Sequence, residues 1–386
     1  MRTFAAVVTT AALAFGGFAP AEAASKPRIG GPCKKIHQVD WIKNVRAQCT
    51  WVPVKGATKG RLIWKALPLP KLTATKQELT PPSAPSIPAT FDELMANVSG
   101  ISYGAWKRSA EAMAAAQARD IPVEVKVGPT TTVSTVDTEA AISLITRLFP
   151  ATPLPKRMFI VIHNNADRDW AKATVQTETG DGYQQFLNSE GGDITASNCR
   201  PDASCPGAKQ MMVGGSGVSV LMFGDTGLKQ PNATDRIGLI VHEMVHSLQA
   251  AQTGERKWGA VPRWLVEGGA EWANITATST SHSEYLSLRK PRSEDLVRNR
   301  DTYNAAWVET FLRTMDWNAD YENWRWYDVG LRATEVLTVI GGPDSWMRIF
   351  AEVGSGKDFP TAFEAIYGAS WDATAPKIAA AVAAGI

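Results

Sequence analysis

One segment limits the possible folds of this 386-residue chain more than any other: RIGLIVHEMVHSLQAAQTG, residues 236–254. Apolar side chains recur at Ile237, Ile240, Val241, Met244, Val245 and Leu248, the spacing of a helix with one buried face, and Gly254 supplies a stop. The pattern predicts a helix from about Asp235 to Gln252. Two of the chain's five histidines, His242 and His246, stand in it one turn apart, so both imidazoles leave from one side and can reach a single ion. Glu243 is rotated off that side, placed to take a proton from an activated water rather than to bind metal. A His-Glu-x-x-His match arises by chance in roughly one chain per hundred, and two core histidines are the competing account. Uncompensated polar rings in so apolar a helix would be unfavourable, which favours ligands.

A catalytic zinc takes three protein ligands and leaves one position open. VPRWLVEGGAEWANIT offers the third as Glu267: Pro262 suits a first helical turn, and Trp264 and Leu265 are apolar anchors. Gly268 and Gly269 would each cost about 1 kcal/mol relative to Ala inside a helix. This helix is therefore expected to lie close against another element, the histidine-bearing helix. A Gly-Gly turn with an exposed Glu is the alternative.

HEMVH followed by WLVEGGAEW resembles the glutamate-zincins, the metallopeptidase superfamily that includes thermolysin and the zinc aminopeptidases. The resemblance covers residues 155–370, and it implies Zn2+ held by His242, His246 and Glu267 with Glu243 as general base. Twenty residues separate His246 from Glu267, slightly more than in the best-known members, and the loop TGERKWGAVPR absorbs the excess. Glu271, one turn beyond Glu267, matches the acid that in thermolysin-like enzymes hydrogen-bonds the first ligand histidine and fixes its tautomer; a solvated Glu is the alternative. Tyr327 and Gly330 match a Y-x-x-G segment of the zinc aminopeptidases, whose tyrosine steadies the oxyanion; a core tyrosine is the competing account and Tyr303 a rival donor. The activity implied is hydrolysis of peptides or proteins. The G-x-M-E-N strand of the aminopeptidases has no counterpart glutamate in GGSGVSVLMFGD, which favours an endopeptidase. VSVLMFGD is expected to be an edge strand able to bind an extended peptide by strand addition. From a different class, an exported non-catalytic binding or envelope-associated protein on the same scaffold is the alternative.

The rest of the chain supplies context. Residues 1–23 carry Arg2, an apolar run from Phe4 to Phe18 and Ala21-Glu22-Ala23, the pattern of a secretory signal, so a secreted or extracytoplasmic protein is expected. No later stretch is apolar for long enough to span a bilayer. In an oxidising compartment Cys33, Cys49, Cys199 and Cys205 read as two disulfides; three connectivities are open, and spacing favours Cys33 with Cys49 and Cys199 with Cys205. Residues 24–66 form a small disulfide-bearing segment, 67–90 a Pro-rich linker, and 91–386 the metallopeptidase-like region. A formal net charge of +2 with no basic block leaves no footprint for nucleic acid. His163 reads as structural. The expected architecture is α+β: a small, mainly antiparallel sheet over the zinc helix, with a helical C-terminal lobe. Strands are expected at Val123–Val127, Met158–Ile162 and Val218–Phe223, and helices at Phe91–Arg119 and Asp137–Phe149.

Overall fold

Continuous apolar runs, rather than alternating ones, build the centre of the main sheet. The computed structural model describes residues 28–34, 39–42, 45–53, 60–66, 84–180, 198–200, 204–213, 216–254 and 258–386; the expected signal at 1–23 and residues 67–83 of the linker lie outside them. The chain divides into two compact units, Met1–Pro82 and Ser83–Ile386.

In the first unit, β1 (Val39–Ile42), β2 (Val45–Val52) and β3 (Arg61–Ala66) form an antiparallel meander. Among the described residues its core holds Ala47, Cys49 and Trp64, with Cys33 and Leu62 against them. The Cys33–Cys49 disulfide fastens this sheet.

The second unit holds β4 (Val123–Val127), β5 (Arg157–His163), β6 (Ala208–Val213) and β7 (Val218–Gly224) in the order β4-β5-β7-β6. The fold is α+β as expected, but the sheet is mixed: β4 and β7 both run parallel to β5, and only β6 with β7 is antiparallel. The expectation of a mainly antiparallel sheet is corrected. The physical reason is burial on both faces. Met158, Ile160, Ile162, Leu221 and Phe223 point to the large core, while Phe159, Val161, Val220 and Met222 join Ala171 and Val175 of α3 (Arg168–Thr179) on the other side. For the same reason β7 is an interior strand, which overturns its expected role as an edge; the edges are β4 and β6.

Between β4 and β5 runs α2 (Val136–Leu148), and α1 (Ile101–Ala115) precedes them, shorter than the helix expected to Arg119. The end of the expected linker belongs to this unit, since Ile87 packs on the core and the backbone of Ser86 lies against Gly100. After β7 come a single turn, α4 (Asp225–Leu228), then α5 (Ala233–Thr253) and α6 (Arg263–Thr278). Asn232 caps α5 by accepting from Thr234 N–H at 3.0 Å, and Gly254 ends it with φ 64°, a left-handed conformation that favours glycine. The remainder is the helical lobe: α7 (His282–Arg289), α8 (Glu294–Arg298), α9 (Ala305–Arg313), α10 (Asn323–Gly341), α11 (Pro343–Gly354), α12 (Phe359–Tyr367) and α13 (Trp371–Ala384). Trp264 and Trp272 of α6 and Trp326 and Trp346 of this lobe are fully buried, so these four tryptophans pack helices.

Two close crossings place the functional helices. A side-chain carbon at Gly238 of α5 would meet Asn274 of α6, and one at Gly268 of α6 would lie 2.1 Å from the backbone of Gly330 in α10. The expected close approach at Gly268 therefore exists, but its partner is α10 and not the histidine helix. Gly269 faces the ring of Trp346.

Candidate metal centre

The apolar face of α5 that buries Val241, Met244, Val245 and Leu248 also turns His242 and His246 towards α6. The crossing with α6 brings Glu267 to both rings. Its Oε2 lies 3.7 Å from His242 Nε2 and 3.5 Å from His246 Nε2, and the three ligand atoms all fall within 4.8 Å of one another. Bonds of about 2.0–2.2 Å to a tetrahedral zinc imply donor separations of about 3.3–3.5 Å. The two distances to Glu267 match such an ion to within a few tenths of an ångström.

Charge agrees with geometry. His242, Glu243, His246 and Glu271 are all buried. Formally, the carboxylates of Glu243, Glu267 and Glu271 with the Arg292 guanidinium leave two negative charges when both rings are neutral, which a divalent cation cancels. Without a cation, a proton does part of this work. Burial alone would lower the His242 pKa, but hydrogen bonds to Glu267 and Glu271 and the charge of Glu243 overcome it and push it up to about 10. Burial likewise opposes ionisation of Glu267, yet the two histidines hold it well below the usual carboxylate range.

Each imidazole is held from behind. Glu271 Oε2 is 3.2 Å from His242 Nδ1, and its other oxygen accepts from Arg292 Nε at 2.6 Å. Against burial, these partners lower its pKa to about 2. His246 Nδ1 lies 2.9 Å from Gln249 Oε1. The sequence reading missed Gln249 and Arg292. For Gln249 a signal existed, an amide three residues past His246 in an apolar helix; Arg292 is brought in by the fold from beyond α7 and had none.

Tyr327 stands on the third side. Its ring stacks on His242 with centroids 5.7 Å apart and planes 21° apart. Burial raises its pKa, and the charges of Glu267 and Glu243 and a hydrogen bond to Glu267 raise it further, so the hydroxyl keeps its proton. Tyr303, the rival, instead lies under the Arg325 guanidinium at 4.8 Å. It lines a neighbouring cleft of about 450 Å³ with Arg292, which pairs with Glu271, Trp324, whose ring lies beside Tyr327, and Asp328. The structure thus brings together His242, Glu243, His246, Glu267, Glu271 and Tyr327.

His163 is at the end of β5, its Nδ1 on the backbone oxygen of Asn164. Its ring nitrogens approach Cys199 and Cys205, but those cysteines are joined as a disulfide, as expected from their spacing. His282 packs among Tyr103, Trp106 and Tyr285. No helix among the described residues is long and apolar enough to cross a membrane. Comparison with protein-family models, curated proteins and solved structures finds no match to this chain.

Proposed function

We propose that this chain is an extracytoplasmic zinc metallopeptidase. The observation that carries the reading is the meeting of His242, His246 and Glu267 in one buried donor set, with Glu243 beside it on the same turn of α5. Zinc held by these three residues would polarise the scissile carbonyl and acidify a water at its remaining position. Glu243 then takes the proton of the attacking water and delivers it to the departing amine. Glu271, clamped by Arg292, orients His242 and keeps its hydrogen on Nδ1, which leaves Nε2 to face the metal. Tyr327 donates its retained proton as a hydrogen bond to the oxyanion that forms at the carbonyl carbon.

An endopeptidase fits best. Neither β6 nor β7 carries an acid, and Asp225 just beyond β7 is buried and paired with Lys229 at 2.6 Å, so it is not available to grip a substrate amine. Strand addition, expected at β7, belongs instead to β6, the edge strand that packs on α5. The two disulfides are compatible with an oxidising compartment.

The test is zinc content by elemental analysis together with cleavage of an unstructured protein, in wild type and Glu243→Gln. One zinc per chain in both, with turnover lost by about 10²–10⁴-fold in the variant, is expected. Bound zinc without turnover in wild type would sink the enzyme reading, and a metal-free fold would sink the zinc reading.

A further inference from the structure

Gln249 is 1% exposed, on a helix that also buries Met244, Val245, Leu248 and Ala250. A buried amide is unfavourable unless both of its ends are satisfied. Here both are, on different helices. One end lies 3.0 Å from the backbone oxygen of Val266 in α6, the residue before Glu267. A backbone carbonyl only accepts, so that end is the NH2 group and the end facing His246 is the carbonyl oxygen. Oε1 also only accepts, so His246 Nδ1, 2.9 Å away, must carry the hydrogen. The lone pair of His246 is then on Nε2, the nitrogen 3.5 Å from Glu267 Oε2.

We propose that Gln249 is a positioning residue of the metal centre: one side-chain amide sets the tautomer of His246 and, through the Val266 carbonyl, ties it to the backbone that carries Glu267. The proposal rests on the zinc reading above. It makes the second histidine ready for metal before any metal arrives. Glutamine has the length for both contacts within one rotamer, and replacement by an apolar side chain removes both.

The experiment uses the full chain. Zinc affinity is measured by competition with a chelator for wild type, Gln249→Met and Gln249→Glu, alongside thermal denaturation of the metal-free forms. The protonated nitrogen of His246 is read by 15N histidine NMR of the metal-free wild type, with the signal assigned through the variants. Gln249→Met should weaken zinc binding by about 10–100-fold. Gln249→Glu keeps an acceptor for His246 but loses the donor to Val266, so it should stay within about tenfold of wild type while melting lower. His246 should carry its proton on Nδ1. Equal affinity in wild type and Gln249→Met overturns the proposal, as does equal weakening in both variants, the mark of a mere helix staple. A proton on Nε2 of His246 in the wild type overturns it as well. Should Gln249→Met not fold, Gln249→Glu and the NMR measurement still decide. A wild type that binds no zinc refutes the metallopeptidase reading instead, and the NMR result then judges the tautomer by itself.

Discussion

Gly268→Ala tests whether the α6–α10 crossing sets the geometry of the centre. The added carbon would sit 2.1 Å from the Gly330 carbonyl carbon and 2.3 Å from its Cα, where ordinary contact begins near 3.4 Å. Both are backbone atoms inside buried helices, so no side chain can swing aside. Relief needs the helices to part by about 1 Å. Tyr327, one turn before Gly330 on α10, moves with that backbone, away from His242 and Glu267. A misplacement of about 1 Å can lower a rate by about 100-fold. Overpacking costs about 1–3 kcal/mol, while Ala in place of Gly in a helix returns about 1 kcal/mol. The expected signature is therefore a net stability loss of no more than about 2 kcal/mol with a fall in kcat of about 100-fold, at one zinc per chain. Gly269→Ala is the control, because its added carbon meets the Trp346 ring at 2.7 Å on a different helix. It should destabilise the protein and leave kcat of the folded fraction within a few-fold of wild type. Thermal denaturation, zinc analysis and steady-state cleavage read all three quantities. A Gly268→Ala protein with wild-type kcat, or equal kcat losses in the two variants, would refute the reasoning.

Tyr327→Phe should retain zinc and lower kcat by about 10²–10³-fold, the usual size for one lost oxyanion donor; unchanged kcat would leave Tyr327 with a packing role only. Glu271→Ala removes the partner of His242 Nδ1 and of Arg292 Nε together, and should weaken zinc binding by about 10–100-fold in calorimetric titration; wild-type affinity would count against the assignment. In the metal-free protein the His242 pKa is raised from 6.5 to about 10, so its contribution to stability is full below 6.5 and is lost as pH rises towards 10. Glu271 is depressed from 4.5 to about 2, so its contribution is present above 4.5 and is lost as pH falls towards 2. Denaturation of chelator-treated protein should show greatest stability from these groups between 4.5 and 6.5. Metal binding must displace the His242 proton, so zinc affinity should rise with pH over 6.5–10; stability of the metal-free protein climbing over that range would contradict the charge arrangement.

The sequence was most informative where one periodicity ruled a long segment. The helix expected from Asp235 to Gln252 spans Ala233–Thr253, and the strand at Val123–Val127 has those bounds. Short-range chemistry was legible for the same reason: residues one helical turn apart must share a side, whatever the tertiary fold. Strand direction was not, because five to seven apolar residues look alike in either orientation. Even so, the unbroken runs MFIVI and VLMF contained a usable signal, since a strand covered on both faces reads this way and is seldom an edge. Arg292 and the partner of Gly268 depended on how α7–α10 return to α6, which no local pattern encodes.

The ligands, acid–base carboxylate and phenol of the proposed centre all stand on helices, and that decides what controls it. Both histidines and Glu243 come from α5, both remaining carboxylates from α6 and the phenol from α10, while only Arg292 stands outside a helix. Ligand spacing is therefore a property of the α5–α6 crossing, and the place of the Tyr327 hydroxyl a property of the α6–α10 crossing. Gly238 allows α6 to approach α5, Gly268 and Gly330 allow α10 to approach α6, and the Gln249 amide fastens the first pair where the ligands sit. A glycine in either crossing would be a local defect in an isolated helix, worth about 1 kcal/mol each. In the folded chain these positions set distances between donor atoms on separate elements. Substitutions at the crossings should then alter metal affinity and turnover without touching a ligand, whereas exposed positions on the same helices should tolerate change.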